Sequence, residues 1–263
     1  QRHTQDSVIA HSRLCWQGCK LVGSDFQIEA STRNRFLREH PDFEKRLPEY
    51  WAGRDITNRP RTRYVIDFYG LDLSEASIFG AAFQWITDRV KPARDQVRRK
   101  GHREKWWIFG EPRPGMRAAL NGLNRYIVTS EVSKHCIFRF LKWPKDLIDG
   151  SIIAIAHDDA WVFGILTSCI HQVWALRVGG TLEDRPRYQN DIVFDPFPFP
   201  DPPEVLKAHV RDLGERLDDH RKGVLDKHKH LTITGLYNVL EKVRAEETLT
   251  EAEKDIYDAG LVG

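Results

Sequence analysis

Apolar residues recur with two different periods along this sequence, and each period predicts its own kind of element. Arg63-Tyr-Val-Ile-Asp-Phe68 is a β-branched and aromatic run that reads as a strand. Arg125–Thr129, His135–Leu141 and Ser151–Ala156 read the same way, and the polar and Pro/Lys/Asp turns between them predict a small sheet. Cys15–Val22, short, aromatic and punctuated by Gly18, reads as a strand pair. Helical spacing governs elsewhere. Glu29–His40 is predicted helical and stopped by Pro41. Asp72-Leu-Ser-Glu75 has the form of an N-cap with an early acid, so a helix should begin near Ser74. Ile78, Phe79, Ala82, Phe83 and Ile86 then fall three and four apart as one buried stripe, ending before Pro92.

Trp161–Leu176 carries its apolar residues in a mixed pattern that fits a strand end passing into a helix. Ile192–Phe199, with Phe-Pro-Phe-Pro at 197–200, is expected to be extended and not helical, because each proline restrains the residue before it. After Asp201 the texture changes to charge-laced amphipathic helices over Pro203–Gly223 and Thr234–Glu246. The fold class is therefore α/β (α+β): a mixed-sheet domain over residues 1–200, with an N-terminal α/β segment, followed by a small helical domain over 201–263. No repeat or low-complexity segment interrupts this division.

Composition narrows the class. The 263 residues are 41% hydrophobic and 30% charged, which supports a real core and excludes fibrous and disordered chains. No stretch approaches the roughly eighteen apolar residues of a membrane span, and Gln1–Leu14 lacks the apolar core of a signal peptide. A cytoplasmic location without membrane contact is expected. Met116 is the lone methionine, so the sequence reads as a fragment or a processed product. The net charge of +2 resolves into two parts: 10 Lys/Arg against 14 Asp/Glu from Asp201 onward, and 30 against 24 before it. Basic residues concentrate between Arg89 and Arg113, where nine of them face Asp95, Glu104 and Glu111.

The sequence carries little that points to catalytic chemistry. No P-loop, dinucleotide fingerprint, nucleophile elbow or zincin motif is present. Cys15, Cys19, Cys136 and Cys169 are too scattered for a disulfide framework, and the Cys15/Cys19 pair lacks a second close pair for zinc, so each reads as a reduced, small buried hydrophobe. Glu204-Val-Leu-Lys207 has the wrong spacing for a nuclease cluster, and His157-Asp158-Asp159 reads as a polar turn more readily than a metal site. Two segments suit nucleic acid. Arg98-Arg-Lys-Gly-His-Arg-Glu-Lys-Trp-Trp107 combines cations for phosphates with aromatics that could stack; equally, it reads as a solvated helix face with at least one of Trp106 and Trp107 in the core. Thr129–His135 offers hydrogen-bonding side chains between two strands, fit either to read base edges or to form a plain hairpin loop.

Six stretches, in this order, are similar to a known family. They are Gly53-Arg-Asp-Ile-Thr-Asn-Arg-Pro and its continuation to Phe68, Arg103-Glu-Lys-Trp-Trp-Ile-Phe-Gly-Glu-Pro-Arg-Pro114, and Arg125-Tyr-Ile-Val-Thr-Ser-Glu-Val-Ser-Lys-His135. Phe163-Gly-Ile-Leu-Thr-Ser168 with His171-Gln-Val-Trp174, Phe194-Asp-Pro-Phe-Pro-Phe-Pro200 and Leu231-Thr-Ile-Thr-Gly-Leu-Tyr-Asn238 complete the set. From about Trp16 to its end the chain resembles the C-terminal half of MmeI-like (Type IIL/IIG) restriction-modification DNA methyltransferases. The resemblance implies a target recognition domain for double-stranded DNA followed by a helical domain. It places the adenine-N6 methyltransferase domain upstream in cis, with S-adenosylmethionine as the parent's cofactor and none in this fragment. Asp195-Pro-Phe-Pro is not the Asn-Pro-Pro-Tyr catalytic motif, so no catalytic residue and no metal is assigned here. Within this frame Arg98, Arg99, Lys100, Arg103, Lys105 and Arg113 are candidates for phosphate contacts, and Ser130, Glu131, Ser133, Lys134 and His135 for base reading. The alternative is a protein-interaction module that docks a partner subunit.

Overall fold

The computed structural model of the protein describes residues 14–182 and 185–261; most of the stretch read as lacking a signal segment, Gln1–Leu14, lies outside them. The chain begins with β1 (Cys15–Gln17) and β2 (Gln27–Ile28) instead of a strand pair over 15–22. Lys20 bridges to Glu111, and Val22 then turns the chain away with a φ of 54°. α1 (Ala30–Glu39) forms where predicted, and Pro41 opens a 3-10 turn over Pro41–Arg46. β3 (Glu49–Trp51), α2 (Gly53–Thr57) and β4 (Tyr64–Val65) follow. The strand expected over 63–68 shrinks to β4 because the next amides bond elsewhere, Ile66 to the Phe26 carbonyl and Asp67 to that of Arg46.

The single helix expected up to Pro92 is three: α3 (Leu73–Ser77), α4 (Gly80–Arg89) and α5 (Lys91–Asp95). Asp72 and Glu75 form a reciprocal capping box at the start of α3. The break after Ser77 leaves Ile78 68% exposed, so the buried stripe consists of Phe79, Ala82, Phe83 and Ile86 without it. Pro92 occupies the first turn of α5, where its missing N–H has no partner to lose. α6 (Lys100–Glu104) and α7 (Pro114–Leu120) complete this half.

β5 (Arg125–Ser130), β6 (Phe138–Lys142), β7 (Asp146–Ile148) and β8 (Ile152–Ile155) build the centre. An antiparallel sheet runs in the order β1-β8-β5-β6, and a second sheet in the order β2-β4-β3-β7 with β3 and β7 parallel. The central sheet is buried on both faces. Tyr126, Val128, Ile152 and Ala154 enter the larger core with Phe68 and Ile86, while the alternate Ile127, Ile153 and Ile155 pack with Phe163 and Leu166.

Residues 161–176, expected to start as a strand, form two helices broken only at Ser168, α8 (Ala160–Thr167) and α9 (Cys169–Val178). Asp159 and Ser168 cap the two helices, accepting from Trp161 N at 2.8 Å and His171 N at 3.3 Å. β9 (Gly180–Leu182) and β10 (Arg185–Arg187) pair antiparallel. Asn190–Phe194 forms a π-helical turn where extended chain was expected. The prolines at 196, 198 and 200 restrain only the residues immediately before them, which leaves 190–194 free to coil. The chain ends in α10 (Glu204–Lys227), α11 (Ile233–Arg244) and α12 (Glu251–Gly260); the last, unpredicted, starts at a Thr250/Glu253 capping box. α10 crosses α8, and α11 covers a small cluster of Ile137, Leu225, Leu231, Ile233 and Leu236. Among the described residues no helix is long and apolar enough to cross a membrane.

Candidate nucleic-acid interface

The five candidate base readers fall on one segment running from the end of β5 toward β6. Ser130 Oγ donates to the Val132 carbonyl at 3.0 Å and Ser133 Oγ to that of His135 at 2.6 Å, so both hydroxyls brace the loop from within. Glu131 is shared: Oε1 accepts from Arg187 Nε at 3.0 Å and Nη2 at 2.7 Å, and Oε2 from Gln17 Nε2 at 3.1 Å. Lys134 Nζ lies 2.8 Å from Asn238 Oδ1 on α11. His135, 8% exposed, lies behind the loop with Nε2 2.9 Å from the same oxygen. β10 docks alongside through the Val132–Arg187 bridge and the Tyr188 N–H donating to the Glu131 carbonyl at 2.7 Å.

A cleft of about 500 Å³ opens beside this loop, lined by Ser130 through Lys134 on one wall and by Gly53, Arg54, Thr57 and Asn58 of the α2 region opposite. Arg185, Ser151 and Thr234 complete it. Gly53 is required by close approach: a Cβ there would meet Ser130 Oγ at 2.7 Å. Glu131 is the one acidic side chain of the lining, and Arg187 occupies it. Asp55 holds the α2 wall. It accepts from the amides of Ala52 (2.8 Å) and Arg61 (3.1 Å) and pairs with the Arg61 and Arg63 guanidiniums, both at 2.9 Å. Arg54 and Arg185 were not foreseen as site residues; their signal lay in the arginine-rich run after Gly53 and in Arg185-Pro-Arg187.

The phosphate candidates lie elsewhere. Arg98, Arg99, Lys100, Arg103 and Lys105 are exposed on α6 and its flanks, with Arg103 Nη1 tied to the Val97 and Arg98 carbonyls at 2.6 and 2.8 Å. Arg99 and Lys105 rim a groove of about 1070 Å³, floored by Leu71, Trp107, Ile108 and Phe109, that shares no lining residue with the cleft. Trp106 and Trp107 are both buried, packed edge to face at 6.1 Å, so neither offers a stacking surface. Arg94 is 1% exposed and donates to the Leu21 carbonyl at 2.7 Å; burial lowers its pKa from the usual guanidinium value. Arg113 does not join the exposed cluster. Half-buried, it donates to Gly18 O at 3.0 Å and Gln17 Oε1 at 2.9 Å and pairs with Glu111.

No group of three or more His, Cys, Asp and Glu arranged for a metal occurs among the described residues. Cys15 and Cys19 are buried, and burial pushes the Cys19 thiol up to about 11. Cys169, expected to be buried, is exposed at the start of α9. His157 Nδ1 accepts the Asp159 N–H at 3.1 Å within a polar turn, and Asp159 pairs with Arg211 at 2.7 Å. Glu204 and Lys207 do not pair with each other: Lys207 meets Asp201 at 2.8 Å and Glu204 meets Arg211 at 3.4 Å.

The DNA-bound structure of the Type IIL restriction-modification enzyme MmeI is similar to this chain, with a TM-score of 0.69 and 19% identity. That match covers 94% of this chain and 32% of the MmeI chain, so the present chain spans about a third of its length. No curated protein matches. The family model for the MmeI target recognition domain matches residues 9–201, which contain the loop, α2 and the arginine-bearing strand β10. On that match, over most of its length, the chain belongs to the MmeI target recognition domain family.

Proposed function

We propose that this chain reads the sequence of duplex DNA for a restriction-modification enzyme, with the cleft beside the 131–135 loop entering a groove. The observation that carries this is the cleft lining: hydroxyls, an amide and cations from five separate chain segments, and a single carboxylate already neutralised by Arg187. Glu131 suits a cytosine amino group, and Lys134, Arg54 and Arg185 suit guanine edges or phosphates. Arg98, Arg99, Lys100, Arg103 and Lys105 supply a second, sequence-independent phosphate contact; Arg113 serves that role only by leaving Gln17 and Glu111. The match to a DNA-bound Type IIL enzyme supports the reading. Adenine methylation and S-adenosylmethionine binding belong, on this proposal, to the rest of the parent protein.

Titration of the chain with duplex DNA at several salt concentrations tests it. Binding should weaken with salt, by a slope of about 0.9 per phosphate neutralised. Joint replacement of Arg98, Arg99 and Lys100 by alanine should lower affinity for every duplex alike and flatten that slope. Arg54→Ala or Glu131→Gln should instead alter sequence preference, by about 1–3 kcal/mol at one base pair. Binding that is absent at low salt, or indifferent to salt, would sink the reading. Labelled S-adenosylmethionine should yield no methyl transfer with this chain alone. A protein-docking role is favoured by the apolar floor of the groove under Arg99 and Lys105; cross-linking to protein in preference to DNA would establish it.

A further inference from the structure

We infer that the C-terminal helices are a working part of the recognition cleft, with Asn238 as the positioning residue of the 131–135 loop. This rests on the DNA-reading function proposed above. Two consecutive loop side chains converge on one amide oxygen: Lys134 Nζ lies 2.8 Å and His135 Nε2 2.9 Å from Asn238 Oδ1. Glu241, three residues further along α11 and so on the same face, meets the same pair, Oε2 at 3.0 Å from Lys134 Nζ and Oε1 at 3.3 Å from His135 Nδ1. The Tyr237 ring lies 5.6 Å from that of His135. Ile137, where the loop rejoins the sheet, is buried with Leu231, Ile233 and Leu236 from the α11 region.

The same helix grips the opposite wall. Thr234 Oγ1 donates to the Thr57 carbonyl at 2.8 Å and itself lines the cleft. One helix therefore bridges α2 and the Lys134–His135 end of the loop, while Asn238 and Glu241 stand outside the lining. Ser130 to Val132 and Ser133 to His135 span two residues each, and Gln17, Arg187 and the Tyr188 amide anchor the loop only at Glu131, so its Lys134–His135 end is placed by α11. A reading side chain must be held in one rotamer by such an outer support to discriminate between bases.

The test selects sequences from a pool of duplexes with randomised base pairs, using the 263-residue chain and its Asn238→Ala, Asn238→Asp and Glu241→Gln variants. Asn238→Ala should broaden the selected sequence, lowering discrimination about tenfold at one or more positions. Its affinity for an unselected duplex, and the salt slope, should stay within about twofold of wild type. Amide exchange of residues 131–136 should speed up while β5 and β8 stay protected. Asn238→Asp, which keeps an oxygen at the same place, should restore discrimination, and Glu241→Gln should broaden it more weakly. Unchanged selection by a folded Asn238→Ala protein, uniform loss of affinity with exchange faster everywhere, or no rescue by Asn238→Asp overturns the inference. If Asn238→Ala does not fold, unchanged selection by Glu241→Gln overturns it instead. Failure of the wild-type chain to select any sequence overturns the DNA-reading function and this inference with it.

Discussion

Asp55 gathers two guanidiniums and two backbone amides around a carboxylate that is 1% exposed. Burial alone would raise its pKa, but the bonds from Arg61 and from the amides of Ala52 and Arg61 hold it below the ordinary 3.8. Its contribution to stability is therefore complete above pH 3.8 and is lost as pH falls through the lower folded value. Asp55→Asn leaves Arg63 facing a neutral group and should cost about 2–3 kcal/mol in urea unfolding, less than a fully buried pair because Arg61 is half exposed. His171 shifts in the same direction by a different cause, since burial lowers the pKa of a base where it would raise that of an acid. Its ring bonds the Tyr188 hydroxyl at 3.0 Å in a closed site, and burial lowers its pKa to about 4. The unfolded chain takes up this proton below pH 6.5 and the folded one only near 4, so stability should fall as pH is lowered across that window. His171→Gln should flatten that fall in melts recorded from pH 7 to 4.

Helix α10 carries glycines that behave differently because of what faces them. At Gly214 a Cβ would lie 2.5 Å from the Ala160 carbonyl oxygen, since α8 and α10 touch backbone to backbone there. At Gly223 nothing lies within 4 Å. Gly214→Ala should destabilise by about 1–3 kcal/mol through forced separation of the helices. Gly223→Ala should stabilise by up to about 1 kcal/mol through helix propensity; thermal melts of the two variants check the opposite signs. This crossing also explains what the sequence hides. α8 is covered by the sheet and by α10, so its apolar residues lose the one-sided period that marks an amphipathic helix. Strands β5 and β8 were legible as short apolar runs between turns, α1 by its stop at Pro41 and α11 by its amphipathic pattern. At the site, the 131–135 loop was legible because it is local. Arg54 and Arg185 were not, since only the packing of α2 and the pairing of Val132 with Arg187 bring them to Ser133.

Across the whole molecule, the acidic C-terminal part and the basic body are joined at particular bonds. Glu215 accepts from Arg125 Nη1 at 2.9 Å, Glu241 meets Lys134, and the helical part's own Arg211 returns to Asp159. Arg59 donates to the Leu225 carbonyl at 2.8 Å and to that of His228, and Arg221 to the Phe138 carbonyl at 3.1 Å. The family model ends at residue 201, where a two-domain division was expected, so a chain cut there keeps every residue of the matched family. Separable in sequence need not mean separable in stability. Removing residues 202–263 would uncover Ile137 and part of the Phe163 cluster, and would strip Arg59 of its Leu225 and His228 carbonyls and Arg125 of Glu215. Uncovering such apolar and buried polar groups together outweighs the few kcal/mol by which a domain is stable. The truncated chain should therefore aggregate or melt without a cooperative transition, as followed by sedimentation and circular dichroism. A soluble product with a cooperative melt within about 5 °C of the full chain would instead make residues 14–201 an independent unit. The C-terminal helices would then be dispensable for the fold, and any loss of sequence selection on their removal could be assigned to their hold on the loop.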